Sequence, residues 1–129
     1  MRNDLISDGI VRIKNGYMAG LQSVLLCRSK IVGEILRVLK EGGFIESFSV
    51  VKERYFEVLL RYTKNGQGAI FDIKRKSKPG CRLYINTSEL KRNITNRFGF
   101  KVLSTNMGVM NDFDAKKLKV GGEYLLEVL

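Results

Sequence analysis

At "EGG", residues 41–43, the spacing of apolar residues changes from about 3.6 to about 2, and one kind of secondary structure cannot satisfy both. Before this point Ile6, Ile10, Ile13 and Tyr17 recur at steps of four, three and four, which predicts an amphipathic helix with Asn3 as its N-cap. Its other side carries Asp8, Arg12 and Asn15. A second run, Ile31, Ile35, Leu36 and Leu39, follows Ser29 and is stopped by the two glycines. Between the two helices "SVLLC" reads as a short strand. After the switch, "FIESFSVV" and "YFEVLLRY" are strands joined by the charged turn "KER", because aromatic and β-branched residues suit a pleated surface. The turn "NGQG", residues 65–68, leads into a third strand, "AIFDIKRK".

The only proline, Pro79, stands beside Gly80 in "KSKPGCRLYIN" and breaks that third strand. A boundary here divides the chain into an N-terminal lobe, 1–76, and a C-terminal lobe, 77–129. In the second lobe "SELKRNITNRF" reads as a short helix, "GFKVLS" as a strand, "DFDAKKLKV" as a helical turn and "GEYLLEVL" as a final strand. The expected fold class is α/β (α+β), with helix-strand-helix-strand-strand-strand followed by a mostly β lobe with short helices. No internal repeat or low-complexity tract argues for a solenoid or a disordered chain.

Twenty-three Lys and Arg oppose thirteen Asp and Glu, a formal net charge of +10 that points to a polyanionic partner. The charge is uneven. Residues 1–63 hold ten basic and seven acidic residues, whereas 64–129 hold thirteen and six, so the binding surface is expected mainly on the second half. Histidine is absent, which removes the commonest general base near neutral pH and weakens any enzymatic reading. Cys27 and Cys81 lack metal-ligand spacing and read as reduced thiols. No glycine cluster fits a nucleotide loop, so no cofactor, metal or small-molecule substrate is expected. The opening "MRNDLISDGI" lacks the long apolar run of a targeting or membrane segment, and no membrane partner is expected.

Four stretches carry candidate contacts. In "KRKSKPGCRLY" Lys74, Arg75, Lys76, Lys78 and Arg82 surround a turn, with Tyr84 two residues on; guanidinium forks suit phosphates, and tyrosine stacks on a base or sugar. A solvated charged turn is the plain alternative. In "STNMGVMND", residues 104–112, Ser104, Thr105 and Asn106 offer short donors and acceptors, and Gly108 admits a close backbone. A capped turn at a strand end explains the same residues. In "VGGEY" Gly121 and Gly122 admit a close backbone and Glu123 accepts from a base amino group, unless the segment is only a hairpin turn. On the first helix Arg12, Lys14 and Asn15 form either a solvated face or a secondary phosphate contact.

The order "DLISDGIVRIKNGY", "SKIVGEILRVLKEGGFIESF", "RKSKPGCRLY", "VLSTNMGVMNDFDAKK" and "VGGEYLLEVL" resembles the ribosomal protein S8 family of the small subunit, nearly end to end. The resemblance implies two closely associated lobes and a primary binder of the central domain of small-subunit ribosomal RNA, acting early in assembly beside neighbouring ribosomal proteins. It further implies that Ser104, Thr105 and Asn106, with Gly108, make the main RNA contacts, supported by Tyr84, Gly122 and Glu123. Arg12, Lys14 and Asn15 would touch a second RNA segment. The chain departs from the family pattern at Asn106, Met107, Asn111 and Lys116, where serine, a polar or basic residue, threonine and arginine are usual. With the overall Ile, Leu, Asn and Lys flavour, these departures suggest either a mitochondrial, organelle-encoded version or a protein of the bacterial cytoplasm. The remaining alternatives are a general DNA- or RNA-binding module outside the ribosome and a small thiol enzyme.

Overall fold

The computed structural model describes residues 4–92 and 100–129, with the side chains of residues 91 and 92 left aside. The chain has two compact units, Met1–Phe71 and Asp72–Leu129, each with its own antiparallel sheet.

In the first unit α1 (Leu5–Met18) begins at Asp4, whose carboxylate accepts from the Ser7 backbone N–H at 3.2 Å and from its hydroxyl at 2.7 Å. Asp4 is thus the N-cap where Asn3 was expected; Asn3 lies outside the described residues. The apolar stripe points inward, with Ile10 and Ile13 buried. Gly16 is required by packing, since a Cβ there would stand 2.5 Å from the Val24 side chain of β1 (Ser23–Cys27). The second helix, α2 (Lys30–Glu41), is capped by the Ser29 hydroxyl, which accepts from Val32 N–H at 3.2 Å. It ends at Gly42 and Gly43, the latter at φ +79°. Its buried face is Val32, Ile35, Leu36, Val38 and Leu39, and each such side chain contributes about 1.5–3 kcal/mol when fully buried.

The strands β2 (Ile45–Val51) and β3 (Tyr55–Leu60) form a hairpin whose turn places Lys52 and Glu53 at positive φ. Sheet order is β1-β3-β2. The register sets Leu26 and Val50 opposite Phe56 on one face, and α2 packs on that face through Gly33.

The expected third strand at "AIFDIKRK" is replaced by irregular chain up to residue 72 and a short β4 (Ile73–Arg75). This strand pairs with β8 (Gly122–Val128) and so belongs to the second sheet, not to the first-lobe meander. The remaining elements are β5 (Tyr84–Ile85), α3 (Thr87–Arg92), β6 (Phe100–Thr105), β7 (Gly108–Asn111) and α4 (Asp112–Lys117). The latter part of the expected helix "SELKRNITNRF", residues 93–98, lies outside the described residues. Strand order is β4-β8-β6-β7, with β5 also paired to β8. Ile85, Leu90, Leu103, Met110 and Ala115 form one core cluster of this unit, with Val120 and Tyr124 against it. The fold is α+β.

Candidate nucleic-acid interface

The loop after β4 is built around Pro79 and Gly80. Lys78 and Cys81 exchange backbone hydrogen bonds of 3.1 and 2.9 Å across the turn, and Gly80 supplies φ +87°. Lys78 is thereby held at an exposed turn. Ser77, just before it, is fully buried. Its hydroxyl donates to the Glu123 carboxylate and accepts from Leu83 N–H at 3.2 Å, while its carbonyl accepts from Arg75 Nε. Arg82 adds an ion pair to Glu123 at 2.8 Å. Burial alone would raise the Glu123 pKa, but the hydrogen bonds from Ser77 and Arg82 and the charges of Arg82 and Arg75 outweigh it and hold the carboxyl below its ordinary value. Arg75, Arg82 and Glu123 are therefore one buttressed cluster, with Ser77 as the hub that sequence reading missed.

The second half of the candidate interface is the β6–β7 hairpin, whose turn is Asn106-Met107. The Thr105 hydroxyl donates to the Gly108 carbonyl at 2.8 Å and accepts from Met107 N–H at 3.1 Å. It closes the turn. Gly108 takes φ +113°, and a Cβ there would meet open space, so its backbone is approachable from outside. Among the described residues the side chains of Ser104 and Asn106 have no hydrogen-bond partner. The segment thus combines the capped turn that was one expectation for it with two uncommitted polar groups.

Register joins the two halves. Ser104 lies opposite Glu123, and Glu123 opposite Tyr84, so the three side chains form a row on one face across β6, β8 and β5. Tyr84 is 68% exposed. Gly122 admits a close backbone, and that backbone is the chain's own: a Cβ there would stand 2.3 Å from the Ser104 carbonyl. Gly121 is similar, with the Ile85 carbonyl 2.4 Å from a virtual Cβ.

Two further lysines border this sheet. The Nζ atoms of Lys76 and Lys101 each stand 5.9 Å from the Tyr124 ring centroid. Lys101 is 7% exposed and neighbours Asp112, whose pKa is pushed up by burial, partly offset by the Lys101 backbone N–H and charge. Lys76 belongs to the candidate stretch "KRKSKPGCRLY", whereas Lys101 was not singled out, because alternation along the strand marks it only as an ordinary surface position.

In the first unit Arg12, Lys14 and Asn15 lie along α1, with Arg12 and Asn15 exposed and Lys14 half-buried. Arg12 is committed to Asp8 at 3.0 Å and to the Leu25 carbonyl at 3.4 Å. The conspicuous residue of "RIKNGY" is its tyrosine: Tyr17 donates to the Phe44 carbonyl at 2.6 Å and accepts from Arg61 N–H at 3.1 Å.

A family model described as ribosomal protein S8 matches residues 4–129. The chain belongs to the ribosomal protein S8 family. The resemblance carried by the motifs therefore extends over the chain. Among S8 relatives, a protein of Nautilia profundicola and one of Campylobacter hominis are each 42% identical, covering 99% of this chain and 99% of their own length. One of Campylobacter jejuni is 40% identical with the same coverage. All three are named small ribosomal subunit protein uS8. These S8 proteins are bacterial, and they lend no support to the mitochondrial, organelle-encoded expectation.

Proposed function

We propose that the chain is a structural, non-catalytic constituent of the small ribosomal subunit in the bacterial cytoplasm. In this reading it binds the central domain of small-subunit ribosomal RNA, supports subunit assembly and contacts neighbouring ribosomal proteins. The observation that carries the RNA part is the Tyr84–Glu123–Ser104 row, flanked by the exposed Asn106–Gly108 turn and by Arg75, Lys78 and Arg82. Cations position a phosphate backbone, an exposed tyrosine stacks, and uncommitted hydroxyl and amide groups bond base edges or 2′-hydroxyls. Because Glu123 is fixed by Ser77 and Arg82, it presents a preset acceptor beside Ser104. Arg12, Lys14 and Asn15 on α1 supply a secondary RNA contact, with Arg12 weakened in that role by its bond to Asp8.

The test is a salt titration of binding to a central-domain RNA helix, against scrambled RNA and duplex DNA, for the wild type and Ser104→Ala. Preference for the cognate helix, reduced in the variant while the salt slope stays unchanged, supports the reading. Equal binding of all three ligands by both proteins would instead identify a general nucleic-acid-binding module.

A further inference from the structure

Two lysines that the RNA reading leaves unused share a small cavity in the second unit. It lies between α3 and α4, has a volume of about 140 Å³ and is lined by Thr87, Leu90, Lys116 and Lys119. Leu90 is buried and ties the cavity to the core cluster that includes Leu103 and Ala115. Ser104 follows Leu103 on β6 and faces the other way, so the cavity stands across the sheet from the Tyr84–Glu123–Ser104 row. We infer that this cavity is a phosphate site, in which Lys116, Lys119 and Thr87 together hold one phosphate group.

Three features converge on an anion. Lys116 and Lys119 border one cavity, and among the described residues neither side chain makes an ion pair or a hydrogen bond. No carboxylate of the described residues lines the cavity, so the repulsion between two neighbouring ammonium groups is left for an anion to relieve. Lys119, moreover, occupies its place at a conformational cost. The end of α4 is a Schellman turn, in which Lys119 N–H donates to the Lys116 carbonyl at 3.1 Å and Val120 N–H to the Ala115 carbonyl at 3.0 Å. Lys119 itself takes φ +58°, where glycine is the usual residue. A backbone position that favours no side chain thus carries a cation, and that cation lines the cavity. Finally, the Thr87 hydroxyl has no hydrogen-bond partner among the described residues and is free to donate. Two ammonium groups and a hydroxyl suit a tetrahedral phosphate, which offers more acceptor oxygens than a carboxylate.

Free phosphate and the backbone phosphate of a second RNA segment share this chemistry, and because the cavity lies apart from the row, either site can fail its test alone. The full chain, labelled with ¹⁵N, is titrated at pH 7 with sodium phosphate, against sodium chloride and sodium acetate of matched ionic strength, and separately with octauridylate. Expected with phosphate are saturable amide shifts centred on Thr87 and residues 116–119, beyond those of chloride and acetate. Octauridylate shifting the same amides at a lower phosphate concentration assigns the site to an RNA backbone; no response there, with phosphate still bound, assigns it to a free phosphate. Lys119→Gly relieves the positive φ, so its urea midpoint should equal or exceed that of the wild type while its phosphate affinity falls about threefold or more. Lys116→Gln should lose affinity to a similar extent. Absence of saturable shifts, shifts spread evenly over other basic surfaces, acetate bound as tightly as phosphate, or unchanged affinity in both lysine variants would overturn the assignment.

Discussion

Ser77 is fully buried, and its hydroxyl serves Glu123 and the Leu83 amide at once. Ser77→Ala strands both partners, so it should cost about 1–3 kcal/mol, read as a lowered urea midpoint at pH 7. Glu123 then dictates part of the acid response. Its carboxyl is held below the ordinary range in the folded chain, so its contribution is complete above the unfolded-state pKa of ~4.3 and is lost as pH falls through the lower folded value. Glu123→Gln should therefore flatten the fall in urea midpoint between neutral pH and the acid limb. An unchanged acid limb would mean that other carboxylates carry it. Cys81 is exposed and Cys27 half-buried, so a thiol reagent should modify Cys81 first and leave Cys27 slow until denaturant is added.

At the scale of elements, the hairpin β6–β7 and the strand β8 make the candidate site, Gly122 letting β8 approach β6 and Thr105 closing the turn. Gly122→Ala drives a methyl into the Ser104 carbonyl, and the strain should lower stability by about 1–3 kcal/mol. Because Gly122 sits opposite Thr105, the same substitution should also distort the turn, seen as shifted amides at residues 104–108. Thr105→Ala loses the hydroxyl that closes that turn, whereas Ser104→Ala touches no bond within the described residues. Binding lost in the first variant thus reports fold as well as contact, and only the second isolates contact. What the sequence reveals follows the range of the interactions. The helices α1 and α2 were legible because their stripes and the Ser29 cap are local, and only the adjoining choice between Asn3 and Asp4 went astray. The fate of "AIFDIKRK" was not, because Ile73 finds its partner at Val128, and an apolar run looks the same in either sheet. The polar "STNMG" likewise concealed a hairpin, since β7 has only four residues to announce it. Ser104, Glu123 and Tyr84 were each nominated singly, but the row they form, and the Ser77 hydroxyl 46 residues from Glu123, exist only once β5, β6 and β8 are paired.

For the molecule as a whole, the net charge of +10 governs how strongly any polyanion is held, while the paired charges decide which cations are available to hold it. Lys78 and Arg82 separate these effects. Lys78 sits on an exposed turn, and no ion pair is found for it among the described residues, so Lys78→Ala should remove one phosphate contact. Affinity for cognate and scrambled RNA should fall alike, and the salt slope should drop by about 1. Arg82 is different because it also neutralises Glu123 at 2.8 Å. Arg82→Ala removes a cation and leaves the Glu123 carboxylate, in the middle of the Tyr84–Glu123–Ser104 row, with only the Ser77 hydroxyl and the charge of Arg75 to offset it. It should therefore weaken binding more than Lys78→Ala at low salt, with the excess shrinking as salt screens the half-buried charge. The double variant Arg82→Ala/Glu123→Gln should recover that excess and behave like Lys78→Ala. Salt-titrated affinities for the four proteins check the argument, because equal losses in Lys78→Ala and Arg82→Ala, with no recovery in the double variant, would show that Glu123 lies outside the field of the bound RNA.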